Sequence, residues 1–368
     1  MKDTHVKMST SRKRIAWIDS AKGIAMILVF YGHLGGSGDN PWFPYLEGSI
    51  WVIYLFHMPL FFVLSGLTFN PNKPFKTFLW SRIRRLVIPY FFFSLYAVGK
   101  ILLLLVSPTI FKSFHANSMG SAGEELLKIL LGNTQGLWFF LALFWADLFL
   151  YGLNKFVSVN RFKLAPILGM IVLMALFGWF AIYFCGLSTV LPFQLLRSVE
   201  GIAFVGLGWL LAALLKSMSM KQSIATLFFS AMLFACTAYW AFADSKNSPM
   251  LNVEIPYILA AIFGSFMVIA LSQLLPNWRC LSYIGRNTMI DYGLNGLSMA
   301  MARKVAFFVL PVEFVASSVL LQYIVGLLVV TVACVICAIA TPILYRWCWW
   351  GVGVTRPSSK VPVKHVAA

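Results

Sequence analysis

Long apolar runs recur from one end of this chain to the other, each about as long as an α-helix must be to cross a hydrocarbon core of about 30 Å. They fall at 16–34, 49–69, 86–106, 137–153, 164–184, 198–215, 223–243, 255–275, 288–310 and 317–344. Inside a bilayer the backbone N–H and C=O groups of such a run must be satisfied internally, which makes each one a helix. The pattern predicts an all-α fold, a polytopic transmembrane helix bundle of about ten spans. Two runs are irregular: 137–153 is short and contains Asp147, and 288–310 contains Asp291, Arg303 and Lys304. The segment 107–136 is the longest outer connection, with room for a re-entrant piece at 124–132.

The connections alternate in charge. Segments 1–14, 70–85, 154–163, 216–222, 276–286 and the tail from 345 hold 21 of the 29 Lys and Arg residues. Opposite connections, such as 35–48 with Asp39 and Glu47, are short and neutral to acidic. With ten spans the basic segments all lie on one side, so the positive-inside rule puts them and both termini in the cytoplasm. The chain then divides into a basic N-terminus, 1–14, a membrane domain, 15–344, and a cytoplasmic tail, 345–368. Asp19 and Lys22 interrupt the first run at its start, and no small-residue cleavage site follows His33 cleanly, so the run reads as a retained helix rather than a signal peptide.

Composition agrees. The 368 residues are 60% hydrophobic and only 11% charged, where a soluble domain carries about 25% charge, and the mean hydropathy is +0.82. Soluble, disordered and fibrous classes are excluded. The net charge of +17 sits in short inter-helix segments with no basic stripe interleaved with aromatics, so it orients the protein and does not imply nucleic acid. Six cysteines show no metal-like clustering, and Cys334 and Cys337 lie within one apolar run, as small packing residues would. No connection is long enough for a separate catalytic domain, and glycine-rich nucleotide loops are absent. Any chemistry must use residues in or beside the helices.

Ionisable groups within a span cost about 2.5–3.5 kcal/mol each on insertion scales, so each marks a candidate site. The first run carries Asp19, Lys22 and His33. Eleven helical positions separate Lys22 from His33, which returns to within about 20° of the same face and rises about 16 Å. His57 falls near the middle of the second run, two residues before Pro59, which is expected to bend the helix there. A second imidazole close to the first would orient it or share its proton. Arg82, Arg84 and Arg85 precede the third run, and a guanidinium pair at i, i+3 can hold phosphate oxygens. A basic clamp at the cytoplasmic face and a buried His on a polar stripe suit a phosphorylated donor whose reactive end reaches into the membrane.

Those residues carry a resemblance. Trp17 to Ala25 with Gly32 and His33, then Phe56-His57-Met58-Pro59 with Leu64-Ser65-Gly66, then Arg82 to Pro89, resemble the membrane-bound acyltransferase-3 superfamily. The Asp19-x-x-Lys22-Gly23 start is similar to its fucose 4-O-acetylase-like and polysaccharide O-acetyltransferase branch, and Leu137-Trp138-Phe139 and Ile284-Gly285-Arg286-Asn287 look like later family blocks. The resemblance implies an O-acyltransferase that moves an acetyl group from cytoplasmic acetyl-CoA to a hydroxyl of an extracytoplasmic or lipid-linked sugar. It implies His33 as the catalytic residue, paired with basic Lys22, and the Arg82-x-x-Arg85 motif as the CoA-phosphate contact. Where many relatives have a His, this chain has Asn295.

The expected active-site set is thus His33, Lys22, Asp19 and His57, with Arg82, Arg84 and Arg85 as the donor contacts. His33 acts either as general base on the acceptor hydroxyl or as a nucleophile that carries the acetyl group, while Lys22 and Asp19 organise the cavity. No metal and no permanently bound cofactor is expected. The partners are acetyl-CoA, a glycan or lipid-linked sugar and membrane lipids, and the location is a bacterial cytoplasmic (inner) membrane. The rival reading is a transporter or flippase for an anionic or lipid-linked substrate, which would use the same intramembrane groups as a path.

Overall fold

The computed structural model describes residues 14–35, 42–107, 121–134, 136–159, 192–247 and 251–354. Among these the regular structure is helical, with no strand. The helices are α1 (Ala16–Gly32), α2 (Glu47–Tyr54), α3 (His57–Leu67), α4 (Phe75–Arg82), α5 (Ile88–Val106), α6 (Ala122–Leu130), α7 (Trp138–Val159), α8 (Leu195–Leu210), α9 (Ala212–Ser217), α10 (Met220–Asn247), α11 (Leu251–Leu274), α12 (Arg279–Val309), α13 (Val312–Ala316) and α14 (Val319–Trp347). Among the described residues six stretches are long and apolar enough to cross a membrane: Pro44–Leu67, Phe75–Val106, Trp138–Phe156, Met220–Ala243, Ile255–Leu274 and Val319–Trp347. The expected span at 164–184 lies outside the described residues. The protein is an all-α membrane bundle, and large apolar side chains on its periphery, such as Phe228, Leu320 and Leu102, stand exposed as lipid-facing residues do.

α1 is the hub. It packs against α3, α11, α12 and α14, and most of its residues from Ile18 to Gly32 are buried. Small residues allow the closest of these contacts. A Cβ on Gly23 would collide with the carbonyl of Leu281, and a Cβ on Gly285 with the carbonyl of Asp19, so α1 and α12 touch backbone to backbone at their basic ends. α3 and α8 repeat the device, with Gly66 on Val205 and Gly208 on Val63. Within a membrane, where apolar burial no longer drives helices together, such close approach supplies the packing.

Three elements depart from the expected runs. The second span is broken at Leu55–Phe56, where Phe56 leaves helical geometry at φ −139°, so the bend lies upstream of Pro59. The proline ring excludes the carbonyl four residues before it, that of Leu55, and Pro59 itself sits harmlessly in the first turn of α3. The third span begins at Phe75 rather than 86, because α4 continues into α5 through a π-helical turn, Ile83–Val87. The arginines therefore lie inside a helix and not in a loop. The segment at 124–132 forms α6, an amphipathic helix capped by Ser121, whose hydroxyl accepts from the Glu124 N–H at 3.3 Å. Its Leu126, Leu127 and Leu130 are exposed and Ile129 is buried, the character of a helix lying at an interface. Of the described cysteines Cys337 is buried, but Cys236 and Cys280 are exposed, so packing accounts for only part of that set.

Candidate active site

The site is built on α1 and reads from its basic end upward. Asp19 and Lys22 lie in the first turns, both partly buried. Lys22 has Asp19, Arg14, Arg85 and Arg82 as its electrostatic neighbours, so the two basic clusters, far apart in sequence, meet in space.

The three arginines do different things. A π-turn widens the helix by an extra residue, and Arg82, at its N-terminal edge, and Arg85, within it, are electrostatic neighbours. Arg82 turns inward: its Nε lies 3.2 Å from Oδ2 of Asp147 on α7, and its guanidinium stands over the Phe78 ring. Asp147 is wholly buried, and neither of its oxygens has a hydrogen-bond partner among the described residues. Arg85 is exposed. The Arg84 backbone carbonyl abuts Gly353, whose φ of +74° bends the turn after α14 tightly onto the arginines. Val352 is buried there and Trp350 meets Phe92 edge-on at 5.5 Å, so this turn walls the basic cluster.

His33 caps the other end of α1. Its Nδ1 lies 2.8 Å from the Val29 carbonyl, and a carbonyl can only accept, so Nδ1 donates and the neutral ring presents an unprotonated Nε2. Arg303 of α12 donates from Nη1 to the His33 backbone carbonyl at 2.9 Å, which pins the residue that ends the helix. His57 repeats the arrangement one element away. Its Nδ1 donates at 2.9 Å to Ile53, a carbonyl that the break at Leu55–Phe56 leaves without its regular helical partner. Each imidazole is thus oriented by a main-chain carbonyl, and the two are electrostatic neighbours. Tyr54 packs edge-on against His57, ring centroids 4.8 Å apart.

The arrangement brings together Asp19, Lys22, Arg82 and Arg85 at one end of α1 and His33 with His57 higher up. Arg84 contributes through its backbone. Asp147 and Arg303 were visible in the sequence only as charges in irregular spans, with no sign of their partners. Asn295 is buried with its Oδ1 unpartnered among the described residues, and Asp291, one turn earlier, is also buried, near Cys334 and Cys337 of α14. No group of three His, Cys, Asp or Glu converges as a metal site among the described residues.

The helical bundle thus carries a cluster of basic residues at one end of α1 and a pair of carbonyl-oriented imidazoles at the other. The chain belongs to the acyltransferase-3 family: the family's description, an acyltransferase domain, matches residues 15–341. It is a membrane acyltransferase. No curated protein matches the chain, and no solved structure does.

Proposed function

We propose that the protein is an O-acetyltransferase of a bacterial cytoplasmic membrane, taking the acetyl group of acetyl-CoA at the basic end and passing it to a hydroxyl of an extracytoplasmic or lipid-linked sugar. The observation that carries this reading is the state of His33. Its Nδ1–H is committed to Val29, which leaves Nε2 as a base about 16 Å along α1 from Lys22. Donor phosphates held at Arg85, Arg14 and Lys22 are then separated from the reacting centre by a distance that a long, thin pantetheine arm spans. The acceptor oxygen attacks the thioester carbonyl, an O–C bond forms and the C–S bond breaks. His33 Nε2 takes the hydroxyl proton and returns it to the departing CoA thiolate. Arg82 is tied to Asp147 beside the donor contacts. Asp19 balances part of the charge on Lys22, and His57 stands beside His33 as a second base.

The test supplies purified protein in nanodiscs with acetyl-labelled acetyl-CoA and glycans extracted from bacterial envelopes. Label should move to alkali-labile esters on the glycan, and only when both substrates are present. Trapping of label on His33 from donor alone would replace the general base by an acetyl-imidazole relay. Transport of glycan without acetylation would overturn the reading.

A further inference from the structure

Arg197 and Glu200 lie one turn apart near the start of α8, and neither takes part in the site above. The Arg197 guanidinium stands over the Trp138 ring, 4.7 Å from its centroid. Glu200 has Arg197 as an electrostatic neighbour. Across from them the Tyr292 hydroxyl of α12, 3.4 Å from the Phe139 N–H, has Arg197 and Tyr54 as electrostatic neighbours. Tyr54 in turn touches His57. A chain of electrostatic neighbours, Arg197, Tyr292 and Tyr54, thus leads toward His57.

The chain entering α8 is held in an uncommon shape. Phe193 and Gln194 both have φ of 58°, in the left-handed region that residues with a Cβ rarely adopt. Specific bonds keep them there: the Phe193 N–H donates to Leu131 at 2.6 Å, and Gln194 Nε2 donates to the Gly132 carbonyl at 3.1 Å and to Asn133 Oδ1 at 2.9 Å. Gln194 is 8% exposed, and its Oε1 is unpartnered among the described residues. Strain maintained by this many contacts fixes the direction in which α8 sets out, and hence where Arg197 and Glu200 stand.

The pair selects its occupant by chemistry. Among the described residues neither side chain makes a hydrogen bond to the protein. A guanidinium offers only donors and a carboxylate only acceptors. An apolar ligand would satisfy neither, an anion would oppose Glu200 and a cation would oppose Arg197. Neighbouring hydroxyls of a polyol do both, accepting from one and donating to the other. We propose that Arg197 and Glu200 form the acceptor subsite and that it takes an electrically neutral sugar, its reacting hydroxyl directed toward His57 and His33. This rests on the sugar-acetylating reading above.

The test uses the full chain in nanodiscs and saturation-transfer NMR with methyl α-glucopyranoside, methyl α-mannopyranoside, methyl α-galactopyranoside and methyl α-glucopyranosiduronate, with CoA binding measured beside it. At least one neutral glycoside should bind. Arg197→Lys and Glu200→Gln should each weaken that binding by about tenfold or more, as loss of a hydrogen bond to a charged group does, with CoA binding unchanged. The uronate should bind more weakly than its neutral parent, and Glu200→Gln should narrow the gap by removing the opposing charge. Binding of none of the neutral glycosides, binding indifferent to both substitutions, or a uronate that binds as well as its parent would overturn the subsite. Glycoside binding with these sensitivities but no acetylation would refute the transferase reading and leave the subsite standing. Acetylation indifferent to both substitutions would refute the subsite alone.

Discussion

The Arg82–Asp147 pair makes an asymmetric prediction. Asp147 has 0% of its side chain exposed and Arg82 has 17%, so the two partners stand differently when left alone. Arg82→Ala strands a carboxylate inside the bundle with no hydrogen-bond partner among the described residues. Breaking a buried ion pair from one side costs about 3–5 kcal/mol, and a carboxylate within a span costs about 2.5–3.5 kcal/mol on insertion scales. Arg82→Ala should therefore destabilise by about 3 kcal/mol. Asp147→Asn leaves a cation whose long stem already reaches partly exposed surface, where it can turn its head group outward. That substitution should cost about 1 kcal/mol, near the value of a partly exposed pair. The double variant Arg82→Ala/Asp147→Asn removes the stranded charge and should cost only about 1 kcal/mol, giving a coupling energy of about 3 kcal/mol in a double-mutant cycle. Thermal unfolding of the four proteins in one detergent, followed by tryptophan fluorescence, measures the ordering. A double variant no more stable than Arg82→Ala, or Asp147→Asn as damaging as Arg82→Ala, would refute the assignment of Asp147 as the buried counter-charge.

Four further variants have definite expected outcomes. Gly285→Ala puts a methyl group against the Asp19 carbonyl and should cost about 1–3 kcal/mol, as overpacking does. Gly296→Ala on the same helix meets nothing within 4 Å and should stabilise by up to about 1 kcal/mol, both read from thermal unfolding. Arg303→Met removes the donor that pins the His33 carbonyl and should lower kcat about tenfold, the value of one hydrogen bond to a charged group, with KM for acetyl-CoA unchanged and partial rescue by lysine. Arg85→Ala should show the opposite pattern in steady-state kinetics, with KM for acetyl-CoA raised about tenfold and kcat preserved.

The all-helical, membrane-type character of the chain could be read from the sequence, because a bilayer imposes length and apolarity on each helix and makes every ionisable exception conspicuous. Lys22 lies in the unbroken helix that His33 caps, so their spacing followed closely from helical geometry alone. What joins different helices left no such mark. Arg82 and Asp147 are partners across two helices, and Arg303 reaches His33 from 270 positions away, so the sequence displayed each as an isolated charge. The break in the second span is displaced from Pro59 because the ring acts on the preceding turn. The Lys73–Lys76 stretch disguised α4 as a connection, and only the folded chain shows that Arg82 ends α4 while Arg84 and Arg85 sit in a π-turn. Gly23 and Gly285 were present in quoted motifs, but their mutual contact is a property of two helices together.

The central claim is that His33 supplies the base for acyl transfer while the donor is bound at the far end of the same helix. It is tested most directly by comparing His33→Gln with the wild type for acetyl transfer and for CoA binding in the same preparation. Transfer should fall by about a hundredfold or more, the contribution of a general base, while CoA binding stays within twofold, about the scatter of such measurements. Transfer within tenfold of the wild type, or transfer and CoA binding lost together, would contradict it.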